Sequence, residues 1–313
     1  MDIASRSNAE DLVDDHSVRS QFDSKICVWH IGFNMAELQS STTLDSARSA
    51  APIVKWAGGK KQLLSTLTAR LPRQWERYFE PFSGGAALFF SLQPREAMLL
   101  DTNPELVDAY LAVRDELDAL IDLLRMYRYD KERYYEVRAQ SPEGLTRVQR
   151  AARFLYLNRT CFNGLYRVNR KGQFNVPFGR YQNPRICDVP RLTAASRALQ
   201  HADIRQSDFT LVLEHARRGD FFYFDPPYLP RNETSFTSYT AADFGPADHQ
   251  RLADTVRELD RRGCFVMVSN SDNPLVQTLY RDFRIERIQA SRQINCRASG
   301  RGKVYETLVR NYR

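Results

Sequence analysis

The stretch from Tyr78 to Asp101 limits the fold most. Tyr78-Phe79-Glu80 reads as a short strand entering the turn Pro81-Phe82-Ser83-Gly84-Gly85, Ala86 to Leu92 reads as a packed helix, and Ala97-Met98-Leu99-Leu100-Asp101 reads as a second strand ending in an acid. This is a β-turn-α-β unit. Similar patterns return late in the chain. Asp220-Phe221-Phe222-Tyr223-Phe224-Asp225 and Cys264-Phe265-Val266-Met267-Val268-Ser269-Asn270 are apolar runs, with a helical pattern over Pro246–Arg262 between them, and 285–290 and 305–312 read as two late strands. From Pro104 to about Gln200 the pattern is mostly helical, broken by a Gly- and Asn-rich stretch over 163–184. Strand–helix alternation on both sides of a helical insert predicts a doubly wound α/β sheet split by a second domain. The expected division is 51–103 with 201–313 as one domain and 104–200 as the insert.

Residues 1–50 are polar and rich in Ser, Asp and Ala, with the apolar island Ile26 to Ile31, and read as a disordered extension. Met35 lies inside it as a candidate natural start. No run approaches the roughly 18 apolar residues of a membrane span, and no basic start leads into an apolar run, so a cytoplasmic protein is expected. The five cysteines, Cys27, Cys161, Cys187, Cys264 and Cys296, are odd in number and lack nearby His at ligand spacing. They read as reduced thiols rather than a disulfide framework or a zinc site, and no metal is expected.

The net charge is +7. Its distribution says more: Leu123 to Arg185 holds 14 Lys and Arg against 4 Asp and Glu. Such a concentration suits either an Arg-rich solvated surface or a nucleic-acid footprint.

Asp225-Pro226-Pro227-Tyr228 follows the first of the apolar runs, so its acid is expected at the carboxyl end of a buried strand, where α/β sheets place ligands. Two prolines stiffen the exit. Such a turn suits a site that must hold a carboxylate and a carbonyl in fixed directions, as methylation of an adenine amine would require, although alone it also reads as a plain turn after a strand. The N6 lone pair of adenine is delocalised into the ring. An acceptor pair that takes both amine hydrogens, here the Asp225 carboxylate and the Pro226 carbonyl, favours a tetrahedral nitrogen and frees the lone pair. The Tyr228 ring is suited to stack on a base swung out of the duplex.

Two further segments support a nucleotide cofactor. In the turn after Glu80, Phe82, Gly84 and Gly85 let backbone approach a ligand closely, and Asp101 stands 17 residues beyond Gly84, placed to bond ribose hydroxyls. The spacing is not the Gly-x-Gly-x-x-Gly of dinucleotide sites. Lys55-Trp56-Ala57-Gly58-Gly59-Lys60-Lys61 fails as a phosphate loop, because Val54 replaces the first Gly and Lys61 the Ser or Thr. It reads instead as a Gly turn closing over a cofactor, with Trp56 as a packing surface and Lys60 as the partner of a carboxylate.

Taken in this order, the segments resemble the DNA adenine methyltransferase (Dam) family from about Pro52 to Tyr312. The resemblance implies a Rossmann-like methyltransferase sheet with a mostly helical target-recognition insert bearing a β-hairpin. It implies S-adenosylmethionine as methyl donor, contacted by Trp56, Lys60, Glu80, Phe82, Gly84, Gly85, Asp101, Asp225 and, less directly, Asp208. Residues 295–303 are similar to the family's Ser/Gly/Lys-rich loop, although Cys296 and Arg297 are unusual there. Residues 158–169 and 172–181 resemble the recognition hairpin of members that methylate adenine in GATC. On that resemblance Arg167 reads a guanine edge, Leu165 and Pro177 press on thymine methyls, Phe162 and Asn163 fill the gap left by a flipped base, and Asn169 belongs to the same hairpin. Arg159, Arg170, Lys171 and Arg180 are candidate phosphate contacts.

The expected partner is therefore double-stranded DNA, bound by a monomer or by a dimer on DNA. Three alternatives stay open at this level: an N4-cytosine enzyme, which more often carries Ser in place of the acid; a catalytically inactive DNA-binding module; and an RNA adenine methyltransferase, disfavoured because the A-form major groove is poorly accessible. Host defence in restriction–modification, repair marking and phage protection are all compatible with the sequence.

Overall fold

The computed structural model describes residues 50–229, 244–291 and 303–313. The expectations for 1–49, including the disordered extension and Met35, and for the loop residues 295–302 lie outside the described residues.

The strands are β1 (Tyr78–Glu80), β2 (Ala97–Asp101), β3 (Ala202–Gln206), β4 (Phe221–Phe224), β5 (Phe265–Ser271), β6 (Arg284–Ser291) and β7 (Lys303–Arg310). Among the described residues they form one seven-stranded sheet in the order β3-β2-β1-β4-β5-β7-β6. The pairs from β3 to β5 are parallel, and β7 runs antiparallel between β5 and β6. This is the Rossmann-like sheet that the β-turn-α-β reading predicted. The order reverses between β1 and β4, which makes their carboxyl ends the switch point where open α/β sheets bind ligands.

Strand side chains alternate between two cores, as a period of two dictates. Tyr78, Leu99, Phe221, Tyr223 and Met267 pack with Leu88, Phe89, Leu106, Tyr110, Phe154 and Leu192. These come from α2 (Ala87–Leu92), α3 (Pro104–Asp115), α6 (Arg147–Thr160) and α7 (Val189–Leu199). On the other face Phe79, Met98, Leu100, Phe222, Phe224, Val266 and Val268 pack with Val212, Leu252, Val256 and Val276, supplied by α8 (Val212–His215), α9 (Pro246–Arg261) and α10 (Pro274–Leu279). Both faces are covered, which explains why β4 and β5 read as continuous apolar runs.

The insert is helical as expected. Besides α3, α6 and α7 it holds α4 (Leu117–Met126) and α5 (Lys131–Ala139). Its starts are encoded locally: Asn103 caps α3 ahead of Pro104, Asp130 caps α5, and Thr146 and Gln149 form a reciprocal capping box on α6.

Three features differ from the sequence reading. β3 had not been expected. Only Ala202 and Ile204 of Ala202-Asp203-Ile204-Arg205-Gln206 are buried, so a short edge strand offers little apolar signal. Leu63, Leu64, Leu67 and Leu71 stand at helical spacing, yet the segment forms a 3-10 turn, Lys60–Leu63, followed by only the short α1 (Leu64–Thr68). The β-hairpin of the insert is held by two isolated bridges, Cys161 with Phe178 and Val168 with Phe174, instead of a continuous ladder. Asn163 (φ 55°) and Gly164 (φ 64°) take the left-handed conformation, and Pro177 has no N–H to give, so regular pairing stops there.

Part of the insert's positive charge is spent inside the protein. Arg150 pairs with Asp108 at 2.6 Å, Arg147 with Glu116 at 2.6 Å, and Arg153 with Glu105 at 3.0 Å. Arg153 is buried and also donates to the carbonyls of Val137 (3.2 Å) and Arg138 (3.3 Å), so one guanidinium joins α3, α5 and α6. Removing one partner of a buried pair leaves an uncompensated charge. We expect Arg153→Ala to lower unfolding free energy by about 3–5 kcal/mol, read as a lower midpoint in urea denaturation, with Glu105→Ala similarly harmful.

Candidate active site

The carboxyl ends of β1 and β4 lead into the two turns singled out in the sequence. From β4 the chain enters Asp225, buried Pro226, exposed Pro227 and half-buried Tyr228. The buried Lys60 reaches this turn from the 3-10 segment: its Nζ lies 2.7 Å from Asp225 Oδ2 and donates to the Gly58 carbonyl at 2.7 Å. The same ammonium sits 4.8 Å from the centre of the Tyr228 ring. Burial raises the Asp225 carboxyl above its ordinary value, and the Lys60 charge opposes that rise. Asp225 Oδ1 is buried and has no hydrogen-bond partner among the described residues. An orphaned carboxylate oxygen is costly, and it is an acceptor available to a ligand's N–H.

The turn after β1 is held from beneath. Asp101 accepts from Gly84 N on Oδ2 and from Asn103 N on Oδ1, both at 2.9 Å, and Tyr110 donates its hydroxyl to the Gly84 carbonyl at 2.6 Å. Burial raises the Asp101 carboxyl, while these backbone N–H groups oppose the shift. Gly84 is required sterically: at φ 45° a Cβ there would lie 2.7 Å from Trp56 Cδ1, and one on Gly85 would lie 3.4 Å from Trp56 Cβ. Trp56 is thus laid against both glycines. Glu80 is buried and accepts from Tyr78 Oη (2.8 Å) and Phe89 N (3.1 Å); burial pushes its carboxyl up to about 8. Phe82 stacks on Phe209 at 5.3 Å. Asp208 caps the turn at Thr210 N (3.0 Å) and takes Arg251 Nη2 at 3.0 Å, at the rim of the same aromatic group. Trp56, Lys60, Glu80, Phe82, Gly84, Gly85, Asp101 and Asp225 are therefore brought to one end of the sheet.

The insert's hairpin is joined to this end. Asn158 is buried and bonds Lys55 in both directions, Oδ1 to Lys55 N and Nδ2 to Lys55 O, each at 2.8 Å. Trp56 stacks on Tyr166 at 5.6 Å. Phe162 is 45% exposed, and Asn163, Arg167, Pro177 and Arg180 are exposed beside it, with Leu165 half-buried. Arg167 is oriented by Asn175, donating to its Oδ1 at 2.7 Å and its carbonyl at 3.3 Å.

Two of the expected DNA contacts are placed otherwise. Arg159 turns inward and donates to the Ile53 carbonyl at 2.6 Å, and burial pushes its guanidinium down to about 10. It serves as an anchor for the 52–56 segment, since a desolvated cation on a backbone carbonyl is not a surface charge. Asn169 spends its Oδ1 on the N–H groups of Lys171 (2.9 Å) and Gln173 (3.0 Å), closing the hairpin tip.

Several residues of the site escaped sequence reading. Tyr228 donates its hydroxyl to Glu306 Oε2 at 2.7 Å, and Ser271 donates to the Leu229 carbonyl at 2.9 Å. Asn158, Tyr166 and Tyr110 are the others. A signal existed only for Glu306: it stands two residues from the buried Leu308 along a late strand, an acid beside a core position.

The family model of D12 class N6 adenine-specific DNA methyltransferases matches residues 56–294. The chain is 45% identical over 270 residues to the type II methyltransferase M1.LlaDCHI of Lactococcus lactis subsp. cremoris, covering 83% of this chain and 95% of that one. It is 43% identical to the type II methyltransferase M.MjaIII of Methanocaldococcus jannaschii, covering 83% and 99% of the two chains. To a DNA adenine methylase of Vibrio cholerae it is 34% identical, covering 82% and 94%. With the two turns facing each other at the switch point and the match spanning both, the chain belongs to the D12 class N6 adenine-specific DNA methyltransferases.

Proposed function

We propose that this enzyme transfers the methyl group of S-adenosylmethionine to N6 of adenine within GATC in duplex DNA, as a site-specific adenine methyltransferase. The observation that carries the reading is the buried, unpartnered Asp225 Oδ1 beside the stiff Pro226-Pro227 exit. Oδ1 accepts one hydrogen of the amine and the Pro226 carbonyl the other. Lys60 on Oδ2 favours the ionised carboxylate, the form that is acceptor-only. The Tyr228 ring carries the displaced base. Membership in the N6-adenine class sets aside the N4-cytosine alternative.

The residues present fit the cofactor. Asp101 has spent one lone pair of each oxygen on backbone N–H groups, and a carboxylate has about four such sites, so it keeps capacity for ribose hydroxyls. Trp56, Phe82, Gly84 and Gly85 form an aromatic and glycine wall, with Glu80 behind it and Asp208 at the rim. When bound, S-adenosylmethionine supplies an electrophilic methyl group on a sulfonium. The chain's own part is to orient the amine, exclude water and hold the base.

Residues 51–103 and 201–313 are assigned to cofactor and catalysis, and 104–200 to target recognition. The division is one of role, since helices of both parts share a core. In the hairpin, Arg167 is the guanine reader, held by Asn175; Leu165 and Pro177 meet thymine methyls; Phe162 and Asn163 enter the duplex. Exposed Arg170, Lys171 and Arg180 contact phosphate. A cytoplasmic monomer acting on DNA is the proposed state.

The chain expressed in a bacterial host lacking DNA methyltransferases should leave N6-methyladenine confined to GATC in single-molecule sequencing; another motif would discard the hairpin assignment and keep the chemistry. Arg167→Ala should keep turnover and lose about 1–3 kcal/mol of discrimination at one base pair, read as methylation of near-cognate sites. Asp225→Ala should lower kcat by on the order of 10²–10³-fold, the cost of losing a preorganised polar contact to the reacting group, with cofactor and DNA binding measured separately. Lys60→Met removes the charge that opposes the burial-driven rise of the Asp225 carboxyl. Activity follows the ionised form, so the acidic limb of the kcat profile should move to higher pH. A limb that stays in place would show that Lys60 does not govern Asp225.

A further inference from the structure

β7 interrupts the parallel sheet, and its register decides which residue meets the Asp225–Tyr228 turn. Glu306 pairs with Ser271 on β5 and Ile288 on β6. Leu308, next on the same face, and Ile288 are both buried in the core cluster. A carboxylate on such a face costs desolvation that an apolar residue would avoid. It is directed instead at the Tyr228 hydroxyl, 2.7 Å from Oε2. One residue further, the Leu229 carbonyl accepts from Ser271 Oγ at 2.9 Å. The turn is thus gripped twice from the sheet, once on the ring's tip and once on the backbone beyond it.

We infer that Glu306 is a positioning residue for methyl transfer, acting through Tyr228: its carboxylate fixes the hydroxyl and so the plane of the ring on which the target base is carried. The inference rests on the reading of Tyr228 as the base-stacking ring. A tyrosine after two prolines has a fixed Cα but free side-chain torsions, and small errors in the presentation of a reacting group cost about 10²-fold when geometry is the source of rate. The bond to Glu306 removes the torsional freedom that the prolines leave. Lys60, 4.8 Å from the ring centre, bears on the ring itself, and Glu306 on its tip.

The test uses the full-length enzyme and a duplex with 2-aminopurine at the target adenine. Single-turnover methylation of the adenine duplex, DNA dissociation constants, 2-aminopurine emission and thermal midpoints are measured for E306A, E306Q, Y228F, Y228A and Y228F/E306A. We expect E306A and Y228F each to slow methylation about tenfold or more, to leave DNA affinity within about twofold, and to raise 2-aminopurine emission as the ring ceases to quench the flipped base. The double variant should be no slower than either single one, and E306Q, whose amide oxygen also accepts from a hydroxyl, should recover most of the rate. Full rate in Y228F, or multiplying losses in the double variant, would overturn the inference. If Y228A itself keeps full rate, the reading of Tyr228 fails and the role of Glu306 falls with it; if Y228A is slow while E306A is fast, only the role of Glu306 falls. Should E306A not fold, Y228F with E306Q carries the comparison.

Discussion

The pair between Lys60 and Asp225 is the contact on which the rest of the site depends. It joins the first described segment of the chain to the turn after β4, 165 residues later in sequence by their numbering. Both groups lie largely out of solvent, so each needs the other: an unpaired charge in that place costs several kcal/mol, roughly the scale of the stability of a whole domain. The pair also leaves something over. Only Oδ2 is used, and Oδ1 stays buried without a partner. The lysine therefore does two things at once. It makes a desolvated carboxylate tolerable and opposes the burial-driven rise of that carboxyl.

The same short segment is tied to the helical insert. Lys55 is bonded through both its N–H and its carbonyl to Asn158 on α6, Trp56 is stacked on Tyr166, and Arg159 holds Ile53. Gly164 completes the seam, since a Cβ there would lie 2.3 Å from Lys55 Cδ. The hairpin cannot move away from the glycine turn without breaking backbone hydrogen bonds to a buried asparagine, which are expensive to leave unmade. The hairpin and the glycine turn are thus tied along one buried seam, and the insert's charge follows the same logic. Arg147, Arg150 and Arg153 pair within the insert and Arg159 ties it to Ile53, while Arg167, Arg170, Lys171 and Arg180 stay at the surface.

How far all this could be read from sequence depended on the kind of signal. β1, β2, β4 and β5 were legible because burial on both faces writes continuous apolar runs. The helix over 246–261 was legible from its proline start and periodicity. Lys60 as the partner of a carboxylate was legible from residue types alone, and its actual partner is the acid singled out for chemistry. β3 was not legible, because an edge strand with two buried residues has no pattern to show. Arg159 was misjudged because an arginine beside a recognition hairpin reads the same whether it faces phosphate or a carbonyl. Glu306 was missed because its meaning is a cross-strand register: only the antiparallel entry of β7 brings it to Tyr228, and spacing along the chain does not encode that.

Among the described residues, Glu80, Asp101, Asp225 and Glu306 approach this end of the sheet beside the buried Lys60, and their coexistence needs explaining. Each is accommodated by a different means. Glu80, pushed up to about 8 by burial, is met by the Tyr78 hydroxyl and the Phe89 N–H. Asp101 is met by backbone N–H dipoles. Asp225 has Lys60. Glu306 has the Tyr228 hydroxyl, which carries no charge of its own. The four partners differ in kind, and so does what each leaves over: among the described residues, Asp225 is the acid that keeps a buried oxygen without a partner, and that oxygen lies beside the stiff exit from β4, where a ligand's N–H is the group that would satisfy it.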